Sequence, residues 1–282
     1  MKKVFFAALM MVSLLLTGCG SDKPAEAPKA PEKATIGVIT HLNASEEKYN
    51  DVMSKLEKSY RPSKASLTAN YKYHDTLKDM VLALDAGKVD MISTYQCVAD
   101  YLLRENDKLE IHKGERVLSD NFCLAVRDGE TILLNELNKA IKSMFSDGKL
   151  AELSKAYIID VKDNSELKPV TIENIPDAET IKFAVTGDLP PLDLVLTDGT
   201  PSGFSTAVLA EISKRIGKNV ELVQIDSAAR AAALTSKQVD VVFWVSIPKD
   251  NTLIPVDLDK PVGIAISEPY YTDSIVHVAL KK

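Results

Sequence analysis

The sequence predicts an α/β fold built as two comparable lobes, and three observations predict it. From Ala34 onward, short apolar strand patterns alternate with amphipathic helix patterns, as expected of sheets flanked by helices. One segment recurs: Ala83-Leu84-Asp85-Ala86-Gly87-Lys88-Val89-Asp90 corresponds to Ala233-Leu234-Thr235-Ser236-Lys237-Gln238-Val239-Asp240, 150 positions later. The composition fits as well. The 282 residues are 45% hydrophobic and 26% charged, with a mean hydropathy of −0.04, the balance of a folded body with a substantial core.

Several function classes fall away at once. Lys and Arg total 34 against 40 Asp and Glu, a net charge of −6, and no basic cluster marks a nucleic-acid surface. Three cysteines are too few for a disulfide scaffold, and one short apolar run excludes a multi-spanning transporter.

That run opens the chain. Lys2 and Lys3 precede apolar residues from Val4 to Leu16, followed by Leu16-Thr17-Gly18-Cys19. A basic start, about a dozen apolar residues and a small-residue exit read as a secretory signal over 1–18 rather than a spanning helix. Leu-Thr-Gly-Cys resembles the bacterial lipobox, which makes Cys19 the acylated mature N-terminus; an ordinary signal with a chance cysteine is the alternative. Two or three acyl chains hold a protein stably on a bilayer. Residues 19–34, rich in Lys, Glu, Pro and Ala without apolar periodicity, then form a flexible tether. Loss of Lys2 and Lys3 takes the net charge from −6 to −8.

The body begins with a strand at Ile36–Thr40 and a helix at Glu46–Ser59, whose Tyr49, Val52, Met53 and Leu56 share one face. A helix at Thr76–Ala86 ends at Gly87 as C-cap, and Val89–Ser93 is the next strand. The second half repeats the scheme. Lys182–Thr186 is a strand, and Ser205 is the expected N-cap of a helix with Val208, Leu209, Ile212 and Ile216 inward, closed by Gly217. Val220–Ile225 is a strand, and a helix around Arg230 leads into strand Val239–Val245. A ligand then belongs in the crevice between the lobes, at the carboxyl ends of the strands.

Several of these motifs together resemble the extracellular solute-binding proteins of polar amino acid ABC importers, family 3. Gly187-Asp188-Leu189-Pro190-Pro191-Leu192 resembles the family's opening strand and Pro-Pro-aromatic loop. Gly199, Ser202-Gly203-Phe204, the helix to Gly217 and Leu234…Val239-Asp240 continue it, and Ser267-Glu268-Pro269-Tyr270-Tyr271 resembles the segment leading into the hinge. These are the first part of the family's lobe 1, yet they close the chain. Residues 36–101 resemble lobe 2, and Phe122–Asp128 with the helices to Tyr157-Ile158 resembles the last hinge strand and return helices. The resemblance therefore implies a circular permutation: lobe 2 over 35–125, return helices over 126–160, a linker over 161–180, and lobe 1 with a hinge strand over 181–282. Close surface termini make this rearrangement easy; two divergent tandem domains is the competing layout. The implied fold is the two-lobed, type II periplasmic-binding-protein fold, each lobe a sheet flanked by helices, with hinge strands between them.

An α-amino acid pocket needs a cationic fork for the carboxylate and an acid for the ammonium. At the family's arginine position stands Asn251, beyond the matching Ser246, and at its acidic position stands Tyr95. Loss of two charge-assisted bonds of about 1.5–3 kcal/mol each points to substitute groups or a different ligand. Arg230 is the best substitute for the carboxylate fork, a solvated helix arginine being the bland reading; Lys249 is a weaker candidate. Trp244, the only tryptophan, shares strand parity with Ser246 and would face Tyr95, two aromatic walls suited to an apolar, aromatic or quaternary ammonium group; a buried core position is the alternative. Asn43 and Ser45 precede the first lobe 2 helix, where free N–H groups can take an anion, or either is simply the N-cap. Asp188 lies at the opening strand's end, and Leu189 stands where an aromatic is usual and would line the pocket.

His41, His74, His112 and His277 show no metal-ligand spacing, and no nucleophile elbow, phosphate loop or dinucleotide fingerprint is present. No metal or cofactor is expected. Cys97 and Cys123 could pair in an oxidising compartment or be small buried residues. The expected function is a monomeric, lipid-anchored, extracytoplasmic protein that captures a small polar solute by hinge closure and delivers it to an ABC permease. A sensory or scavenging lipoprotein without a permease is the first rival, and a dehydratase-like enzyme, for which Asp188 is the obvious acid, the second.

Overall fold

A computed structural model describes residues 33–39, 44–60, 69–112, 118–163, 167–249 and 260–281, without the side chains of Glu57, Ser59, Tyr60 and Trp244. Cys19, Asn43 and Asn251, with the signal and tether, lie outside the described residues. Residues 33–282 form one compact unit.

The N-terminal part alternates β1 (Thr35–Ile39), α1 (Glu46–Tyr60), β2 (Asn70–His74), α2 (Leu77–Asp85), β3 (Met91–Tyr95), α3 (Gln96–Glu105) and β4 (Leu109–His112). Then come β5 (Ser119–Arg127), α4 (Thr131–Ser146), α5 (Lys149–Ser154) and a π-helical turn at Lys155–Ile159. The C-terminal part holds β6 (Thr180–Val185), β7 (Asp188–Leu189), β8 (Asp193–Val195), β9 (Pro201–Ser202), α6 (Phe204–Ile216), β10 (Asn219–Gln224), α7 (Arg230–Thr235), β11 (Val241–Pro248), β12 (Ile264–Ile266) and β13 (Tyr271–Leu280). The expected strand at Val89–Ser93 is shifted to Met91–Tyr95, because Val89 and Asp90 belong to the turn whose amides close back onto Ala83 and Thr35.

Ten strands make one large sheet, in the order β10-β6-β11-β5-β13-β3-β1-β2, with β12 on β5 and β4 on β13. Its outer thirds are parallel, β10-β6-β11 at one end and β3-β1-β2 at the other. The middle is antiparallel. β13 pairs with β5 through Tyr271–Ser274 and with β3 through Ile275–Val278, so a single strand belongs to both halves. This is a mixed α/β fold, a large central sheet flanked by helices.

Why each helix sits where it does follows from its buried stripe. Leu77, Met80, Ala83 and Leu84 turn α2 onto the sheet, and Leu137, Ala140, Ile141 and Met144 do so for α4. α6 is buried nearly all round, with Phe204, Val208, Leu209 and Ile212 in the main core. Its N-cap is Gly203, not the expected Ser205, which lies fully buried one residue into the helix. The reason is steric: Phe204 and Ser205 donate to the carbonyls of Pro191 and Leu192, and a Cβ on Gly203 would lie 2.4 Å from the Leu192 oxygen at a φ of 106°. Only glycine fits that approach. α4 and α5 pack on α6, where Arg215 bonds Ser143 and Asp147. The connecting chain after residue 161 is stitched to the same region, with the Val170 amide on the Pro201 carbonyl and Val170 buried against Ala207 and Ala210.

Candidate functional site

In an open α/β sheet the carboxyl ends of parallel strands expose polar loop groups for ligands. Here β6 ends in Thr186-Gly187-Asp188, β2 in His74, and β3 in Tyr95. Asp188 reaches across: its Oδ2 accepts a hydrogen bond from the Leu77 amide at 3.3 Å. That amide opens α2, whose first turn is capped by Thr76 Oγ1 accepting from Asp79 N at 3.0 Å. The N-terminal end of α2 is thus in contact with the carboxyl end of β6.

Behind Asp188 lies a buried charge set. Arg230, 2% exposed, donates from Nη1 to the Phe243 carbonyl at 3.0 Å. Asp193, 5% exposed, accepts on Oδ2 from the Thr186 amide at 2.8 Å, from Thr186 Oγ1 at 3.1 Å and from the Gly187 amide at 3.1 Å. Burial raises the pKa of Asp188 and of Asp193, while those hydrogen bonds and the Arg230 charge pull each back. The solvated helix arginine is therefore excluded. Arg230 is a core arginine whose charge favours the ionised forms of Asp188 and Asp193.

A second cluster sits where the halves join. Tyr95 donates its hydroxyl to Asp120 Oδ2 at 2.8 Å and sets its ring edge on Phe122, centroids 4.6 Å apart. Burial and the Asp120 charge push the Tyr95 hydroxyl well above its ordinary range, with Ser246 as a further hydrogen-bonding neighbour. Asp273, opposite Asp120 in the β13–β5 register, accepts on Oδ2 from the Cys97 amide at 3.0 Å, and burial raises its pKa.

The residues expected from sequence divide. The structure buries Arg230, where its charge favours the ionised form of Asp188, and bonds Tyr95 to Asp120. Leu189 differs from expectation: at 4% exposure it belongs to the main core, because the Leu192 amide closes a turn onto its carbonyl that folds the side chain inward. Ser45 is the N-cap of α1, its Oγ accepting from the Lys48 amide at 3.1 Å. Trp244 lies on β11, where the pairing with β5 shifts register between Val242 and Val245. Cys97 and Cys123 are buried free thiols; burial pushes both up, Cys123 to about 12. Among the described residues no group of three His, Cys, Asp or Glu could hold a metal ion. Sequence reasoning missed Asp120, Asp193 and Asp273. Asp193 left a trace, a carboxylate between Leu192 and Leu194; the other two left none, since their partners come from distant strands.

Residues 181–251 match the model of bacterial extracellular solute-binding proteins, family 3. The match covers the first part of the C-terminal half, from β6 into the segment after β11. No curated protein matches the chain in sequence. Solved structures similar to it include a ligand-binding component of an ABC-type import system from Staphylococcus aureus, with zinc bound (TM-score 0.44, 12% identity, 88% of this chain and 66% of that one). The GluR0 ligand-binding core with L-glutamate follows (TM-score 0.41, 11% identity, 89% and 86%). The aliphatic sulphonate binding protein SsuA from Escherichia coli is another (TM-score 0.36, 13% identity, 89% and 65%). Members of family 3 are extracellular binding proteins, and no described helix of this chain is long and apolar enough to cross a membrane.

Proposed function

We propose that this protein captures a small polar solute, an amino acid or amino-acid-like compound, between two lobes and presents it to an ABC permease from the membrane surface. The observation that carries this reading is the family 3 match over 181–251, in a chain whose strand ends from both sheet halves meet at Asp188 and α2. Binding and hinge closure perform the function, with no cofactor and no chemical step. Acylated Cys19 is the anchor, and 19–34 the tether. The lobes are read as permuted, lobe 2 preceding lobe 1. Two features support one permuted domain over tandem domains: β13 is shared by both halves, and α4 and α5 pack on α6.

The test is a thermal-shift panel on residues 33–282 with amino acids, dicarboxylates, aromatic acids, betaines and sulphonates. A ligand at about a hundred times its Kd adds about 2.7 kcal/mol, several degrees for a chain of this size. A saturable shift with one class supports solute capture and names the class. Silence across the panel overturns it.

A further inference from the structure

We propose that Asp188 is a cross-lobe latch, which holds the two halves together at the first turn of α2 before any solute is bound. The carboxylate sits on β7, which continues the chain from β6 of the C-terminal half into a small separate sheet with β8 and β9, and its acceptor bond runs to the Leu77 amide, in the helix that joins β2 to β3 of the N-terminal half. The groups on each side are prepared for it. The first-turn amides of a helix have no partner within the helix and carry the positive end of its dipole. Thr76 already serves Asp79, and Asp188 serves Leu77, so one amide of the first turn takes its acceptor from the other half.

On the opposite side the carboxylate is held in place. Gly187 and Thr186 are pinned by Asp193, Arg230 lies close enough to favour the charged form of Asp188, and the Pro190–Pro191 and Leu192 turn is locked under α6. A side chain anchored this firmly on one half, and bonded to the backbone of the other, restrains rotation about β5 and β13. Arg230 on this reading is a positioning residue: its charge steadies the latch rather than waiting for a ligand carboxylate. The protein then carries a closed population of its own, to which solute adds. This goes beyond solute capture and stands or falls independently of the ligand panel.

The experiment uses the protein without added solute, reading amide hydrogen exchange at Leu77 by NMR and the radius of gyration by X-ray scattering. Asp188→Ala is expected to speed exchange at Leu77 by about tenfold or more and to enlarge the radius of gyration, while core amides of β6 keep their protection. Unchanged exchange at Leu77 overturns the latch. Faster exchange with an unchanged radius of gyration also overturns it, since the contact would then cap α2 without restraining the lobes. Should Asp188→Ala fail to fold, Asp188→Asn keeps the shape and one acceptor while removing the charge. It is expected to move both readouts in the same direction by less, and wild-type values in both overturn the proposal.

Discussion

The two helix–turn–strand units around Asp90 and Asp240 are the same device built twice, and their differences show what each half of the molecule needs. In the first, Lys88 and Val89 donate to the Ala83 carbonyl, Asp90 N donates to the Thr35 carbonyl, and Asp90 Oδ2 takes the Thr35 amide at 2.7 Å. In the second, Gln238 and Val239 donate to the Ala233 carbonyl, Asp240 N donates to the Lys182 carbonyl, and Asp240 Oδ2 takes the Lys182 amide at 3.0 Å. Burial runs in step through both, residue by residue, up to the aspartate. The left-handed position differs: Gly87 at φ 64° in one, Lys237 at φ 65° in the other. A side chain there costs about 1–2 kcal/mol, so the hydrogen-bond closure of the turn, and not the residue, dictates the backbone.

Among the described residues, a clamp that offsets this strain is found on the second unit. Arg127 donates from Nη1 to the carbonyls of Val239 at 2.6 Å and Leu234 at 3.2 Å, and from Nη2 to Asp240 Oδ1 at 3.1 Å. The first unit's Asp90 is exposed and α2 gains its support elsewhere, from the Thr76 cap and Asp188.

The largest break is available on the C-terminal side alone. Gly203→Ala forces a Cβ into the Leu192 carbonyl at positive φ, and should cost about 3 kcal/mol or more, read as a lower urea midpoint. Next, Asp240→Ala should cost about 2–3 kcal/mol, since it strips the strand amide and leaves the Arg127 guanidinium, 14% exposed, short of a partner. Asp90→Ala should cost about 1 kcal/mol. Equal losses in the two would remove the clamp from the account. Exchanging the turn residues gives smaller, opposite effects: Gly87→Lys destabilises by about 1 kcal/mol, and Lys237→Gly stabilises by about 0.5 kcal/mol.

The smallest effect is in pH. His74, His112 and His277, the described histidines, all lie on strands of the N-terminal half or on the part of β13 paired with it. Burial, then the facing His112, lowers the pKa of His277, and burial lowers that of His74. The unfolded chain therefore binds more protons below about pH 6.5, so their share of stability is present at neutral pH and lost as pH falls towards the folded-state values. Urea midpoints at about pH 7.5 and about pH 5.5 should show the decline, and His277→Gln should reduce it. A decline untouched by that substitution would place its source outside this strand.

What the sequence by itself determined is local and periodic. The alternation of apolar patterns located α1, α2, α6 and the strands β1, β3, β6, β10 and β11, because a buried face must repeat at the period of its element. The recurrence of Leu…Val-Asp marked equivalent turns, because closing a helix onto a parallel strand demands the same hydrogen bonds wherever it occurs. The family match spans 181–251, a stretch that includes Gly203, where a close backbone approach restricts residue choice. Only the tertiary structure decided the rest. Arg230 became a core cation because it is buried with its Nη1 on the Phe243 carbonyl of a neighbouring strand, Tyr95 found its acid on β5, and Leu189 turned inward. Each outcome depends on groups from separate strands meeting at hydrogen-bond distance, and that is set by how the sheet halves are joined.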